Sequence, residues 1–453
     1  MENKEIFLDE INGFLEEKNF KKIAQVLCEM QPVDIAESMP MFSLKERAVL
    51  FRLLTKDLAA EVFVELDTDT QEELISSFTE TELNQVFKEL FIDDTVDIIE
   101  EMPASVVRRI LKNCPNDMRN EINSLLAFSD NTAGSIMTTE YVALKPEMTV
   151  KDAFLHIRKA GLDSETVYTC YVKDEKRTLI GVVTIKDLLL SDENEKIKNV
   201  MNENVIYVET LSDREEAAKL LDKYDFLALP VTDKEKRLVG IITVDDAIDV
   251  FFEEVEEDFS KMAAVMPIED SYFKTSVFKH SLSRILWLIV LMISATVTGF
   301  IITYYEEAFQ AVPLLIACLP MLMGTGGNCG SQSSTMVIRA LATDEINLRD
   351  IFKVWWKEIR ISLVVGIVLA IVNTLRVFLL YGFTNEILLL AITNALALLF
   401  TVTLAQSLGC LLPMGAKAVK LDPAIMAAPL ITTIVDALSV MVFFLVAVNV
   451  FAL

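Results

Sequence analysis

The sequence predicts a multi-domain membrane protein, in which an acidic water-facing region precedes an all-α transmembrane domain of five helices. The chain has a formal charge of -26, yet residues 284–453 contain nine Lys or Arg and nine Asp or Glu. Residues 1–283 therefore carry all of the net charge. Five long apolar runs lie in the neutral part, and an internal duplication lies in the acidic part. We expect an α-helical N-domain, an α+β pair, a connecting helix and the transmembrane domain, in that order.

The N-domain is predicted over residues 1–130 as a series of short amphipathic helices. The segment Val33–Pro40 (VDIAESMP) recurs as Val96–Pro103 (VDIIEEMP), and the segment Ala60–Leu66 keeps the same apolar spacing. Repeats of this kind indicate stacked helices that present an interaction surface. The surface is acidic, so it repels nucleic acid and attracts cations. The N-terminus lacks the apolar segment of a signal peptide, so we expect this domain in the cytosol.

A duplicated α+β unit is predicted over residues 131–197 and 198–258. Gly181–Asp187 (GVVTIKD) recurs 59 residues later as Gly240–Asp246 (GIITVDD), and a strand pattern precedes each copy. The arrangement resembles a tandem pair of CBS domains. In such a pair the Thr and Asp of the motif can bind the ribose and phosphates of an adenine nucleotide such as ATP. The alternative is that they cap the following helix. The residues concerned are Thr184, Asp187, Thr243 and Asp246.

The densest run of acids spans Asp245 to Asp258, where the second unit meets the membrane part. A solvated helix face is one interpretation. The other is a cation site, because a divalent ion relieves repulsion between close carboxylates, and Mg2+ prefers oxygen ligands with retained water. Residues 259–283 follow as a connecting helix that is placed to act as a gate.

The transmembrane domain is predicted over residues 284–453. Its apolar runs cover about 285–305, 311–338, 361–381, 386–411 and 424–452, and each supplies the ~20 residues that a membrane span needs. Bases alternate between the loops, since the second and fourth loops contain them and the first and third do not. The positive-inside rule then predicts a multi-pass protein of the cell membrane, surrounded by lipid, with a cytoplasmic N-terminus and a C-terminus outside.

Asp436 is the only ionisable residue deep inside the fifth apolar run. A carboxylate there costs several kcal/mol unless it faces water, a partner or an ion, so an ion-binding role is the first interpretation. A cap or a hydrogen bond between helices is the alternative. Thr432 and Thr433 lie one turn earlier and add oxygen atoms to the same region.

The second apolar run contains the polar, small-residue segment Gly324–Ser334 (GTGGNCGSQSS). Its amides Asn328 and Gln332 are four residues apart, on one helical face, which suits a hydrated pore wall. Tight packing between helices explains the small residues equally simply. A nucleotide-binding loop is excluded, because the segment has no matching glycine pattern and lies within a membrane span.

The whole chain resembles the MgtE family of magnesium channels. The most specific stretch is Pro320–Ala342, followed by Asp422-Pro423 and the segment around Asp436. The resemblance implies a homodimer with one pore at its two-fold axis, lined by the second and fifth membrane helices, with Asp436 as the pore carboxylate. Some relatives have Asn at the position of Ala428, so an ion contact by that side chain is not carried over.

The family also implies that cytoplasmic acids sense Mg2+. The corresponding residues are Asp94, Asp213, Glu215, Asp225, Asp246, Asp249, Glu254, Glu257 and Asp258. High intracellular Mg2+ would bridge the domains and close the pore, and low Mg2+ would release it. Two other functional classes are less well supported. A CBS-regulated anion channel needs basic pore sites, and an intramembrane enzyme needs a nucleophile and a base that the apolar spans lack.

Overall fold

The computed structural model describes residues 10–162, 164–268, 272–273, 275–306, 312–426 and 428–451. The chain forms two compact units, which comprise residues 1–252 and 253–453. The first unit contains the predicted N-domain and the α+β pair. Among its described residues, the second contains five helices that are long and apolar enough to cross a membrane. The predicted fold class is confirmed.

The N-domain consists of short helices packed around aromatic side chains. Its helices are α1 (Phe20–Cys28), α2 (Pro32–Ser38), α3 (Leu44–Arg52), α4 (Lys56–Val64), α5 (Thr68–Ser77), α6 (Glu80–Glu89), α7 (Ile92–Glu101), α8 (Ala104–Asn113) and α9 (Asn116–Leu125). The rings of Phe51, Phe63, Phe78 and Phe87 contact one another in the core. The two copies of the predicted repeat form α2 and α7. Helix α7 begins with two acids, Asp93 and Asp94, in its first turn, where the helix dipole favours them.

The α+β pair contains two three-stranded sheets of the same topology. The first unit contains β1 (Tyr141–Leu144), α10 (Val150–Ala160), β2 (Thr166–Lys173), β3 (Leu179–Thr184), α11 (Ile185–Leu190) and α12 (Ile197–Val200). The second contains β4 (Val208–Glu209), α13 (Arg214–Tyr224), β5 (Ala228–Thr232), β6 (Leu238–Thr243) and α14 (Val244–Met262). In each sheet the middle strand pairs parallel with the first strand and antiparallel with the last.

The two α+β units are interlocked through the glycine of each repeated motif. A Cβ atom at Gly181 would lie 2.6 Å from Sδ of Met201, and one at Gly240 would lie 2.9 Å from Sδ of Met137. Met137 begins the first unit and Met201 begins the second. The methionine of each unit therefore packs on the glycine of the other, which only a residue without a side chain allows.

The predicted connecting helix over 259–283 is helical only at its two ends among the described residues. Helix α14 ends at Met262, residues 263–268 are not helical, and the next helix begins at Val277. The break has a local cause. Ala264 has a φ of 53°, outside the helical region, and Met266 precedes Pro267, which disfavours helical backbone. The Met266 amide instead donates to the carbonyl oxygen of Ser283 at 3.0 Å.

Among the described residues, the first four membrane helices extend the predicted apolar runs at the ends that carry bases, and the fifth lies within its predicted run. They are α15 (Val277–Tyr304), α16 (Leu314–Ala342), α17 (Ile351–Tyr381), α18 (Asn385–Ala418) and α19 (Ala428–Phe451). Helix α18 is the most buried of them and α15 is the most exposed. The apolar core of this unit is formed chiefly by α16, α18 and α19. This places the segment Gly324–Ser334 on α16 against the helix that carries Asp436.

Candidate ion-binding sites

The first turn of α7 lies against the α+β pair and brings acids of both parts together. The amide nitrogen of Ile92 donates a hydrogen bond of 2.9 Å to Oε2 of Glu140, and the amide of Glu165 donates one of 2.8 Å to the carbonyl oxygen of Glu140. Asp93 and Asp94 follow Ile92 directly. We call the residues Asp93, Asp94, Glu140, Glu165 and Asp246 the acidic interface cluster.

Burial and mutual repulsion raise the pKa values of four acids of the cluster. Burial raises the pKa of Asp93 to about 7 and the pKa of Glu165 to about 8, and neighbouring carboxylates add to both shifts. Burial, followed by the charge of Asp93, raises the pKa of Asp246 to about 7. Burial and Asp246 raise the pKa of Asp94 to about 6. A bound cation would replace the protons and relieve the repulsion.

Two oxygen atoms of the cluster are left without a hydrogen-bond partner. They are Oδ1 of Asp93 and Oε2 of Glu165, and both atoms are buried. Buried polar atoms are normally satisfied, so such orphaned acceptors indicate a missing donor, water or ion. Within the described ranges, no three acid, histidine or cysteine side chains are close enough to hold a bare metal ion. Carboxylate oxygens such as those of Asp93 and Glu165 are of the kind that Mg2+ takes, directly or through retained water.

The structure places Asp94 close to Asp246, and it places the other predicted sensor acids at the ends of α13 or along α13 and α14. Asp213 caps α13 by accepting a hydrogen bond of 2.9 Å from the amide of Glu215, and Glu215 pairs with Lys219 at 2.6 Å. Asp225 ends the same helix with a φ of 53°. Asp249 lies exposed on α14. Glu254, Glu257 and Asp258 belong to the second compact unit.

Sequence reasoning missed Asp93, Glu140 and Glu165 as members of the cluster. Asp93 could have been found, because it is adjacent to Asp94 in the same acidic helix turn. Glu140 and Glu165 belong to no sequence motif. They directly precede β1 and β2, which are brought side by side only in the folded sheet. Their place near α7 is a property of the packing between the N-domain and the α+β pair.

The raised pKa values predict that protons and Mg2+ compete for the cluster. These carboxyls hold protons more tightly in the folded protein than in the unfolded chain, so folded stability without Mg2+ should fall as pH rises from about 4 to about 8. We expect the Mg2+ concentration that half-protects the protein from protease to be about tenfold lower at about pH 8.5 than at about pH 6. Limited proteolysis of the full chain over a Mg2+ series at both pH values measures this. An equal half-protecting concentration at both would contradict it.

The four nucleotide candidates form helix caps in the structure. Asp187 accepts a hydrogen bond of 3.2 Å from the amide of Thr184, and the amide of Asp187 donates one of 3.2 Å to Thr184 Oγ1. The Thr243 amide donates to Asp246 Oδ2 at 3.3 Å, and the Thr243 hydroxyl donates to the same oxygen. The capping interpretation therefore describes their geometry.

In the membrane unit, Asp436 is half-buried on α19 and makes no hydrogen bond or ion pair to any described residue. Thr432 and Thr433 do not serve it, since both hydroxyls donate to the carbonyl oxygen of Pro429 at 2.9 Å. An unpaired carboxylate within a membrane span must find water or a cation. The capping alternative for Asp436 has no support from the described contacts.

The small residues of α16 serve tight packing, and its amides face away from the bundle. A Cβ atom at Gly327 would lie 3.0 Å from Cγ2 of Thr432, and one at Gly330 would lie 2.8 Å from Cγ2 of Ile431. Both contacts are with α19. Asn328 and Gln332 are exposed. The two interpretations of this segment therefore apply to different faces of one helix: Gly327 and Gly330 pack against α19, and the two amides point outward.

Lys261, in the last turn of α14, joins the connecting region to the start of the last membrane helix. Its Nζ lies 2.7 Å from Oδ2 of Asp422 and 2.9 Å from Oε1 of Glu257. The other oxygen of Asp422 accepts a hydrogen bond of 2.8 Å from the amide of Ala424, in the 3-10 turn Pro423–Met426 that leads to α19. Asp422 thus links Lys261 to the segment that precedes Asp436.

Models of known families match most of the chain. The MgtE intracellular N domain matches residues 30–131, the CBS domain matches 133–193 and 197–253, and the MgtE divalent cation transporter domain matches 319–446. The magnesium transporter MgtE of Thermus thermophilus is 35% identical over 437 residues, which cover 96% of each chain. This chain belongs to the MgtE family. The resemblance seen in the sequence is thereby confirmed.

Other MgtE relatives support the same membership. The magnesium transporter MgtE of Bacillus subtilis is 32% identical over 433 residues, covering 96% of this chain and 95% of that one. The crystal structure of the cytosolic domain of the Mg2+ channel MgtE in complex with ATP matches 53% of this chain and 98% of that chain, with 37% identity and a TM-score of 0.51. The soluble part of a magnesium transporter matches 55% of this chain and 99% of that one, with 29% identity and a TM-score of 0.52.

Proposed function

We propose that this member of the MgtE family is a Mg2+ channel for uptake, whose pore is opened and closed by intracellular Mg2+. The observation that carries the proposal is the contrast between two acidic sites. The acidic interface cluster lies between water-soluble domains and collects repelling carboxylates. Asp436 lies alone in a membrane span. The acidic interface cluster suits a site that senses the free cation concentration, and Asp436 suits a site on the path of the conducted ion.

The pore is proposed to lie between two copies of the chain. Asn328 and Gln332 are exposed on a membrane helix, and amides facing lipid would be left unsatisfied. A two-fold axis beside α16 and α19 would place these amides and two copies of Asp436 around one water-filled path. The exposed side chains of Leu155 and Leu189, which line one shallow cavity on the first α+β unit, offer a second apolar surface for the partner.

The dimer is testable by a disulfide across the axis. In a background in which the exposed Cys28 is replaced by serine, Asn328→Cys should form an intermolecular disulfide on mild oxidation, because the two copies of α16 face each other. Denaturing electrophoresis after oxidation in lipid would show a band of doubled mass. Ile371→Cys, on the exposed face of α17, is the matched control and should remain monomeric. Absence of the doubled band for Asn328→Cys, with flux retained, would contradict the proposed pore axis.

Gating is proposed to act through α14. Asp246 lies in its first turn and Lys261 in its last turn, so the helix runs from the acidic interface cluster to the residue that contacts Asp422. Mg2+ bound between the N-domain and the α+β pair would favour one position of α14. Shifting a two-state equilibrium from 1:99 to 99:1 needs ~5.5 kcal/mol of differential binding, which several acidic sites per dimer could share.

The finer assignments follow the same proposal. The basic second and fourth loops lie in the cytoplasm, with the N-terminus inside and the C-terminus outside.

ATP is proposed as a ligand of the α+β pair at Thr184, Asp187 and Thr243, supported by the ATP complex of the similar cytosolic domain.

Flux into liposomes tests the function directly. Purified protein should admit Mg2+ into vesicles that contain a Mg2+ indicator, and the Mg2+ flux should stop when Mg2+ is raised on the cytoplasmic side. Parallel assays with Co2+, Ca2+ and Cl- distinguish a divalent-cation path from an anion channel. Chloride flux without Mg2+ flux would overturn the proposal.

A further inference from the structure

A second acid on the membrane helices, Glu358, has no part in the conduction described above. It lies near the start of α17 and is half-buried. Its Oε2 accepts a hydrogen bond of 2.8 Å from Oγ of Ser333 on α16, and Ser333 itself is only 5% exposed. A carboxylate held against a buried hydroxyl is a strong, directional contact between two helices.

The contact lies where three helices meet at close range. Ser333 Oγ is also 3.1 Å from the carbonyl oxygen of Gln406 on α18. Beside it, a Cβ atom at Gly409 of α18 would overlap the carbonyl oxygen of Gly330 and lie 2.9 Å from Cβ of Ser333. A hydroxyl has one proton to donate, and the carboxylate is both the nearer and the charged acceptor. Ser333 therefore donates to Glu358.

Ser333 directly follows Gln332, and Asn328 lies on the same exposed face of α16. Lipid tails are as apolar as the side chains of the bundle, so burial alone gives little preference for one rotation of a membrane helix. Hydrogen bonds and close backbone contacts decide the rotation instead. A turn of α16 at Ser333 would carry both amides away from their position.

We propose that Glu358 is a positioning residue of the pore. Through Ser333, its carboxylate holds α16 at the rotation that presents Asn328 and Gln332 to the ion path. The inference rests on the proposed function, because it assumes that these amides line that path. It concerns a residue that neither touches the ion nor belongs to the Mg2+ sensor.

The test compares variants that remove the hydrogen bond between Ser333 and Glu358 with one that keeps it. Glu358→Ala and Ser333→Ala should each lower maximal Mg2+ flux about tenfold, the effect expected from losing one charge-assisted hydrogen bond. The double variant should be no slower than either single variant, since both remove the same contact. Glu358→Gln, whose amide oxygen can still accept from Ser333, should stay within about threefold of the wild type. The Mg2+ concentration that closes the pore should not change in any of them.

Lys357→Ala, an exposed neighbour on α17, is the matched control and should conduct like the wild type. Wild-type flux in Glu358→Ala would overturn the proposal. So would a Glu358→Gln variant as slow as Glu358→Ala, or losses that add in the double variant. If the wild type itself passes no Mg2+, the proposed function fails instead. The melting temperatures of the wild type, Glu358→Ala, Ser333→Ala and the double variant then still decide whether Glu358 and Ser333 act as a pair.

Discussion

Replacing Asp436 by asparagine or alanine is expected to lower Mg2+ flux by roughly two orders of magnitude, as when one charge partner is removed from a poorly hydrated site. Asp436 makes no hydrogen bond or ion pair to any described residue, so its removal leaves no protein group unpaired. The protein should therefore fold and assemble normally. Flux into indicator-loaded liposomes, at equal reconstituted amounts, measures the effect.

Glu386→Ala provides the matched control for Asp436. Glu386 is an exposed acid in the first turn of α18, at the end of a membrane span instead of within one. We expect this control to retain wild-type flux. An Asp436→Ala protein with undiminished flux would remove Asp436 from the pore and leave its position in the membrane unexplained.

Neutralising the acidic interface cluster is expected to leave the channel open at Mg2+ concentrations that close the wild type. The triple variant Asp93→Asn, Asp94→Asn and Asp246→Asn keeps the side-chain shapes and the cap at Thr243, but it removes three charges that a bound cation would neutralise. It should conduct, because Asp436 is untouched. It should also lose the protection from protease that Mg2+ gives the wild type.

A second triple variant controls for net charge. Glu29, Glu89 and Asp222 are exposed acids of the same compact unit and lie outside the cluster. Replacing them by their amides lowers the total charge equally, and closure should remain at the wild-type Mg2+ concentration. Single substitutions within the cluster should shift closure only modestly, since several carboxylates share the ion. Normal closure of the cluster variant would place the sensor elsewhere.

The sequence predicted those features that depend on residues close together in the chain, and it missed those that depend on contacts between distant residues. Hydropathy and length are local properties, and they identified all five membrane helices and the isolation of Asp436. The repeated motif identified both α+β units. In contrast, Glu165 joins the acidic interface cluster only through packing against α7, more than sixty residues away in the chain. No periodicity in the sequence encodes such a contact.

In the connecting region and in the segment Gly324–Ser334, the sequence also left local features of the structure undecided. The break before Pro267 was readable in principle, because a residue before proline avoids helical backbone, but the prediction of a connecting helix rested on its position between the second α+β unit and the first membrane helix. For Gly324–Ser334, packing and pore-lining roles were alternatives in the sequence. Only the rotation of α16 showed that Gly327 faces α19 while Asn328 faces outward.

The contact between Lys261 and the acids Glu257 and Asp422 bears on the Mg2+ range over which the proposed gating would act. The ammonium group is a cation built into the chain, and a tethered group of this kind has an effective concentration on the order of millimolar. A free cation that binds to the carboxylate of Glu257 must compete with the ammonium group of Lys261. A trace cation of similar affinity for the carboxylate would be too dilute to displace it, whereas an ion that is abundant in the cytoplasm would not. We therefore expect this lysine to set a threshold for cation binding at Glu257, and we expect the threshold to depend on the reach of the lysine side chain and on the salt around it.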